Sequence, residues 1–97
     1  MSTKADRERV ARLLALSPQS RASLAGVEGW DEPKLTQVFG EPHMPSYAGL
    51  TEALDDLITD DTVEEYEDGK DAAGNPIIMY RLEYREYQRV TGKQGNE

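Results

Sequence analysis

The spacing of hydrophobic residues changes once along the chain, and the change separates a predicted helix from a predicted β-hairpin. Between residues 47 and 58 the apolar positions recur at the three- and four-residue spacing of one helix face, as Tyr47, Leu50, Leu54, Leu57 and Ile58. After residue 62, Val63 to Glu67 and Ile77 to Tyr84 have the composition and alternation of strands, with a glycine-containing turn between them. The second strand alternates Ile78, Tyr80, Leu82 and Tyr84 on one face with Ile77, Met79, Arg81 and Glu83 on the other.

Two further helices are predicted before this stretch. Residues 3–16 are expected to form the first, with Thr3 near its N-terminal cap and a buried stripe made by Val10, Leu13 and Leu14. Residues 32–39 are expected to form the second, which begins after Asp31 and stops at Gly40.

The segment between these two helices allows two interpretations. Residues 18–26 fit a short helix with Ser17 as its cap and Pro18 at its first position. They also fit a short strand that pairs with the later hairpin, and the sequence does not separate the two. Further along, Ser46 is predicted to cap the long helix.

Composition favours one small domain, residues 1–90, followed by a disordered C-terminal tail, residues 91–97. The chain has 97 residues, of which 37% are hydrophobic and 31% charged. A domain of this size buries a limited hydrophobic core, and its free energy of unfolding is expected to be small. A homodimer, which buries more surface, is therefore a possible state of the chain. The chain has no cysteine, which excludes disulfides, thiolate zinc sites and thiol nucleophiles. No apolar run reaches membrane-spanning length and the N-terminus lacks a signal-peptide pattern, so the expected location is the cytoplasm.

The net charge of −8 is distributed unevenly. Residues 35–69 contain ten acidic side chains and no lysine or arginine, whereas residues 1–21 carry a net charge of +3. The folded chain is therefore expected to have one strongly negative face.

The order of helix, short element, two helices and hairpin across residues 4–84 resembles the winged helix-turn-helix domain. The best local match is LTEALDDLITDDTVEEYEDGKDAAGNPIIMYRL, whose apolar positions match those of the recognition helix and wing in such domains. The resemblance implies an α+β fold in which three to four helices precede a two-stranded wing. In this chain the turn after the helix has Asp60-Asp61 where the family often has Asp-Gly, and Asp tolerates the left-handed backbone that the turn needs.

The acidic residues conflict with the DNA-binding function that this resemblance suggests. Affinity for DNA comes mainly from cations that neutralise phosphates, and the predicted recognition helix and wing carry carboxylates instead. The leading hypothesis is therefore a regulatory or inhibitory module that binds a basic protein surface, in its sharper form as a nucleic-acid mimic of the phage-encoded type. The residues predicted to bind the partner are Glu52, Asp55, Asp56, Asp60, Asp61, Glu64, Glu65 and Glu67.

The alternative hypothesis is a DNA-binding transcriptional regulator that uses its basic N-terminal helix, its wing tip or a dimer. The residues predicted to contact nucleic acid in that case are Arg7, Arg9, Arg12, Lys70, Arg85 and Arg89. An enzyme is not expected, because His43 is the only histidine and the serines have no adjacent base. No cofactor or metal site is predicted, since the acidic run lacks the glycine and ligand spacing of a calcium loop.

Overall fold

Helices precede and follow a single antiparallel β-hairpin in this α+β fold. The computed structural model describes residues 2–42 and 45–92. Its elements, in chain order, are α1 (Lys4–Leu16), α2 (Arg21–Gly26), a 3₁₀ turn (Val27–Gly29), α3 (Glu32–Phe39), α4 (Tyr47–Thr59), β1 (Val63–Lys70), β2 (Pro76–Leu82) and α5 (Tyr84–Thr91).

The N-terminal caps of α1, α3 and α4 confirm the predicted starts of these helices. Thr3, Asp31 and Ser46 each have an extended backbone, and each side-chain oxygen accepts a hydrogen bond from the backbone N–H three residues further on, at 3.0–3.1 Å. Gly40 ends α3 with φ of 78°, a left-handed conformation that glycine adopts without strain.

The segment that the sequence left open contains both a helix and a single strand-like residue. Gln19 exchanges two backbone hydrogen bonds with Tyr80 of β2, at 3.0 and 2.8 Å, and α2 begins two residues later. The N-cap of α2 is Ser20, so the prediction of Ser17 as cap was wrong. Helix formation starts later because the backbone at Gln19 is extended and bonded to the hairpin.

The hairpin has the predicted alternation over most of its length. Val63 lies opposite Leu82, and Glu65 lies opposite Tyr80 on the same face. β1 continues to Lys70, three residues beyond the predicted end, through an irregular register after Glu67.

The helix α5 was missed, and the prediction that β2 extends to Tyr84 was wrong. The ladder ends where the Glu83 N–H donates to the Thr62 carbonyl at 2.9 Å. The Glu83 side chain then accepts the Arg85 N–H and starts a helix, which leaves Tyr84 69% exposed. The predicted tail began at residue 91, but Thr91 is the last residue of α5; residues 93–97 lie outside the described residues.

The buried side chains form one hydrophobic cluster to which all four N-terminal helices and the base of the hairpin contribute. Its members are Val10, Ala11, Leu13, Leu14, Leu24, Val27, Leu35, Phe39, Leu50, Ala53, Leu54, Leu57, Val63, Tyr80 and Leu82. Trp30 covers one side of the cluster and stacks on Phe39 with ring centroids 5.8 Å apart. Over residues 2–42 and 45–92, the helices are all too short or too polar to cross a membrane.

Candidate functional site

The outward face of α4 is narrower and less acidic than the sequence suggested. Four exposed positions follow one line along the helix, at intervals of four, three and four residues: Ala48, Glu52, Asp55 and Thr59. Asp56 belongs to the predicted partner-binding set, but it is only half exposed because it lies on the side of α4 that faces α1. The helix therefore presents two carboxylates directly to solvent along this line.

Asp56 holds the N-terminal segment against α4. Its carboxylate accepts hydrogen bonds from the Ser2 backbone N–H at 2.9 Å and from the Ser2 hydroxyl at 2.6 Å. Arg7 fixes the other side of Ser2 by donating to its carbonyl at 2.9 Å. The hydrogen bonds from Ser2 lower the pKa of Asp56, with a smaller contribution from the positive charge of Arg7. This carboxylate therefore has a structural role in positioning α1.

Asp55 is paired with Arg21, a residue that belongs to neither predicted set. Arg21 of α2 donates to the Asp55 carboxylate at 2.6 Å and to the Tyr80 hydroxyl at 3.1 Å. The same guanidinium lies 5.2 Å from the centre of the Tyr80 ring. Arg21 thus connects α2, α4 and β2, and it partly neutralises the outward face of α4.

The alternation of β1 separates the predicted acidic residues of the wing. Glu65 and Glu67 point to the face that carries Tyr80, whereas Glu64 points to the opposite face. Glu64 accepts a hydrogen bond from Arg81 of β2 at 3.3 Å. The three glutamates therefore do not form one patch.

The turn between α4 and β1 places two more carboxylates side by side. Asp61 has φ of 60°, the one non-glycine residue of the described ranges in the left-handed region. The Asp61 N–H donates to the Ile58 carbonyl at 3.1 Å, and the Thr62 N–H donates to the Leu57 carbonyl at 2.9 Å. These are the two hydrogen bonds of a Schellman motif, in which glycine is the usual residue at this position. The sequence-based expectation that Asp would adopt this conformation is confirmed.

Five of the ten carboxylates of residues 35–69 have neither a salt bridge nor a side-chain hydrogen bond within the described ranges. We refer to these five residues as the acidic surface: Asp60, Asp61, Glu65, Glu67 and Asp68. They run from the end of α4 along β1 towards the hairpin tip, and all five are exposed. Asp60 also borders a shallow depression that contains Arg7. Asp68 was absent from the predicted set, although its place within the acidic run was a signal that could have included it.

Four of the six residues in the alternative, basic set are engaged within the fold. Arg9 forms salt bridges with Asp6 and Glu41, and Arg89 forms them with Glu8 and Glu86. Arg12 donates to the last carbonyl of α3, that of Phe39, and Arg7 donates to Ser2. Lys70, at the end of β1, and Arg85, in the first turn of α5, are exposed and form no salt bridge within residues 2–42 and 45–92.

The described residues contain no group of three or more His, Cys, Asp or Glu side chains arranged to hold a metal ion. His43, the sole histidine, lies outside the described residues. The carboxylates of the acidic surface can accept charge-assisted hydrogen bonds from lysine or arginine.

Comparisons with known proteins found no matching family model and no significant similarity to a curated protein or a solved structure.

Proposed function

We propose that this chain is a small winged-helix module that binds a basic surface of a protein partner and thereby regulates or inhibits it. The order of elements supports the fold assignment, because α4 is followed directly by the hairpin. The pairing of Gln19 with β2 supports it too, since many winged helices have a short strand at this place in the chain.

The observation that carries the functional proposal is the acidic surface. Its carboxylates have no salt bridge within the described residues, so a partner that supplies lysine or arginine gains charge-assisted hydrogen bonds without breaking existing salt bridges. Phosphates would be repelled by the same groups. The surface is thus suited to a basic protein and unsuited to a nucleic-acid backbone.

The outward line of α4 also argues against base reading in a DNA groove. Recognition helices present arginine, asparagine or glutamine to base edges. Here the line consists of Ala48, Glu52, Asp55 and Thr59, and the hydroxyl of Thr59 already donates to the Asp55 carbonyl at 3.0 Å. Four arginines of the alternative basic set make intramolecular contacts that DNA binding would have to share or displace.

A more specific version of the proposal is that the partner surface normally holds nucleic acid, which this chain mimics. In that case duplex DNA competes with the chain for the same partner. A partner that binds the chain and duplex DNA at the same time would exclude mimicry and leave the broader proposal in place.

The test uses a labelled peptide rich in lysine and arginine, a labelled random duplex DNA and the full chain, at low salt. The wild type is expected to bind the peptide with an affinity that decreases as salt is added, and not to bind the DNA. Glu65→Gln and Glu67→Gln should each weaken peptide binding about fivefold, since an ion pair at about 4 Å in water contributes about 1 kcal/mol.

Glu32→Gln is the matched control, because Glu32 is exposed on α3, far along the chain from the acidic surface, and has no salt bridge within the described ranges. It should change peptide binding less than twofold by the same electrostatic reasoning. Equal effects of Glu32→Gln and Glu65→Gln would mean that only net charge matters. Salt-sensitive binding to the duplex DNA would contradict the proposal and favour the DNA-binding alternative.

A further inference from the structure

Two adjoining grooves on the side formed by α1, α3 and α5 share an exposed leucine. One groove, of 460 Å³, lies between α1 and α5, and the other, of 580 Å³, lies between α1 and α3. Leu16 and Val38 line both grooves, Ala15 and Val90 contribute to the first, and Pro33 contributes to the second. We call this region the leucine groove.

Leu16 is not needed by the core of the chain. The buried stripe of α1 is complete with Val10, Leu13 and Leu14, whereas Leu16 is 65% exposed in the last turn of the helix. A single exposed leucine is common, but here it lines the first groove together with the half-buried Val38 and Val90. Exposed apolar side chains bordered by charged residues are typical of a protein–protein contact.

The charges around the leucine groove indicate which partner it fits. Its border carries both signs: Glu8 and Asp31 are acidic, and Arg12, Lys34 and Arg89 are basic. In a two-fold dimer the same surface of both copies is in contact. Acidic residues on the border of one groove can then pair with basic residues on the border of the other, whereas two borders of a single sign would repel each other.

The location of the leucine groove favours a second copy for the same electrostatic reason. The chain carries a net charge of −8, and ten of its acidic side chains lie in residues 35–69, so two copies repel each other most strongly through that part of the chain. The three helices around the groove have the opposite balance, since α1, α3 and α5 together hold seven basic and four acidic residues. Self-association is therefore least opposed on this side.

We infer that the chain forms a two-fold homodimer through the leucine groove, with Leu16 of each copy packed against Val38 and Pro33 of the other. The dimer does not depend on the acidic surface, which belongs to α4 and β1. It would carry two acidic surfaces, one from each copy.

The test is sedimentation equilibrium of the full chain from micromolar to millimolar concentration. The wild type is expected to change from monomer to dimer and to stop at dimer. Leu16→Glu should weaken the dimer at least about tenfold, and Leu16→Gln should weaken it in the same direction without a new charge. Ile78→Glu is the control, because Ile78 is also an exposed apolar residue, 37% accessible, but lies on the hairpin.

Circular dichroism of each variant establishes that the monomer is folded, which the exposure of Leu16 leads us to expect. The inference is overturned if the wild type remains monomeric at all concentrations, or if Leu16→Glu and Leu16→Gln associate like the wild type. Association that continues beyond a dimer would also overturn it, because a two-fold contact is closed.

Discussion

Replacement of Asp61 by glycine tests whether an acidic residue at the end of α4 is retained at the expense of stability. Asp61 occupies the position in the Schellman motif where glycine is usual, with φ of 60°. Its carboxylate lies at the negative end of the helix, next to Asp60, and has no salt bridge within the described ranges. The two features together make Asp61 locally unfavourable.

The magnitude follows from three contributions. Glycine removes a left-handed strain of about 1 kcal/mol, the low end of the range because Asp tolerates this conformation. It also removes an unfavourable charge–dipole interaction of about 0.3–1 kcal/mol. Against these gains, the greater backbone freedom of glycine in the unfolded chain costs about 0.5–1 kcal/mol. The net expectation for Asp61→Gly is a free energy of unfolding about 0.3–1.5 kcal/mol higher than that of the wild type.

Urea and thermal denaturation of three variants separate strain from charge. Asp61→Asn keeps the side-chain size and removes only the charge, so it should gain about 0.3–1 kcal/mol. Asp61→Ala should be the least stable of the three, because alanine has neither the freedom of glycine nor the local hydrogen bonding of asparagine. For a domain of this size, a gain of 1 kcal/mol raises Tm by about 4–8 °C.

The result that refutes this reasoning is an Asp61→Ala variant as stable as Asp61→Gly, since residue 61 would then not be strained. The same variants bear on function. Asp61→Gly and Asp61→Asn should both bind the basic peptide more weakly than the wild type although they are more stable, because both lack one carboxylate of the acidic surface.

The remaining predictions concern two carboxylates of α4, Asp56 and Asp55. The lowered pKa of Asp56 means that its ionised form stabilises the fold above the unfolded-state pKa of about 3.9, and that this contribution disappears as pH falls through the lower folded-state pKa. The difference in unfolding free energy between wild type and Asp56→Asn should therefore be constant near neutral pH and shrink below about pH 4. Urea titrations at several pH values measure this difference. A difference that stays constant down to about pH 2 would contradict the stabilising role of the Asp56 carboxylate. Arg21→Gln should lower stability by less than about 1 kcal/mol, because the Arg21 and Asp55 side chains are 40% and 61% exposed. It should also tighten binding of the basic peptide by freeing Asp55, and weaker binding would show that Arg21 itself contacts the ligand.

Elements whose formation depends on neighbours in the sequence were predictable. The caps at Thr3, Asp31 and Ser46 and the stop at Gly40 were expected because a cap is satisfied by residues within one helical turn. The helix α5 was missed because Tyr84 continues the alternation of β2, so the local pattern favoured a longer strand. Its helical signals were weaker: Tyr87 and Val90 at a spacing of three, and Gly92 after the last turn.

The acidic surface was only partly predictable, because the sequence shows charges but not their partners. Asp55, Asp56 and Glu64 belonged to the predicted partner-binding set, yet they contact Arg21, Ser2 and Arg81. The first two contacts join residues more than thirty positions apart, and no local spacing rule connects them.

What the sequence determined by itself is the order and approximate extent of most elements and the concentration of negative charge in residues 35–69. Hydrophobic periodicity and capping involve residues close together in the sequence, so they can be predicted from the sequence. Only the tertiary structure decided which of the described carboxylates have a partner within the fold and which do not. That outcome depends on α2 and the start of α1 packing beside α4, and packing brings together residues that the sequence keeps apart.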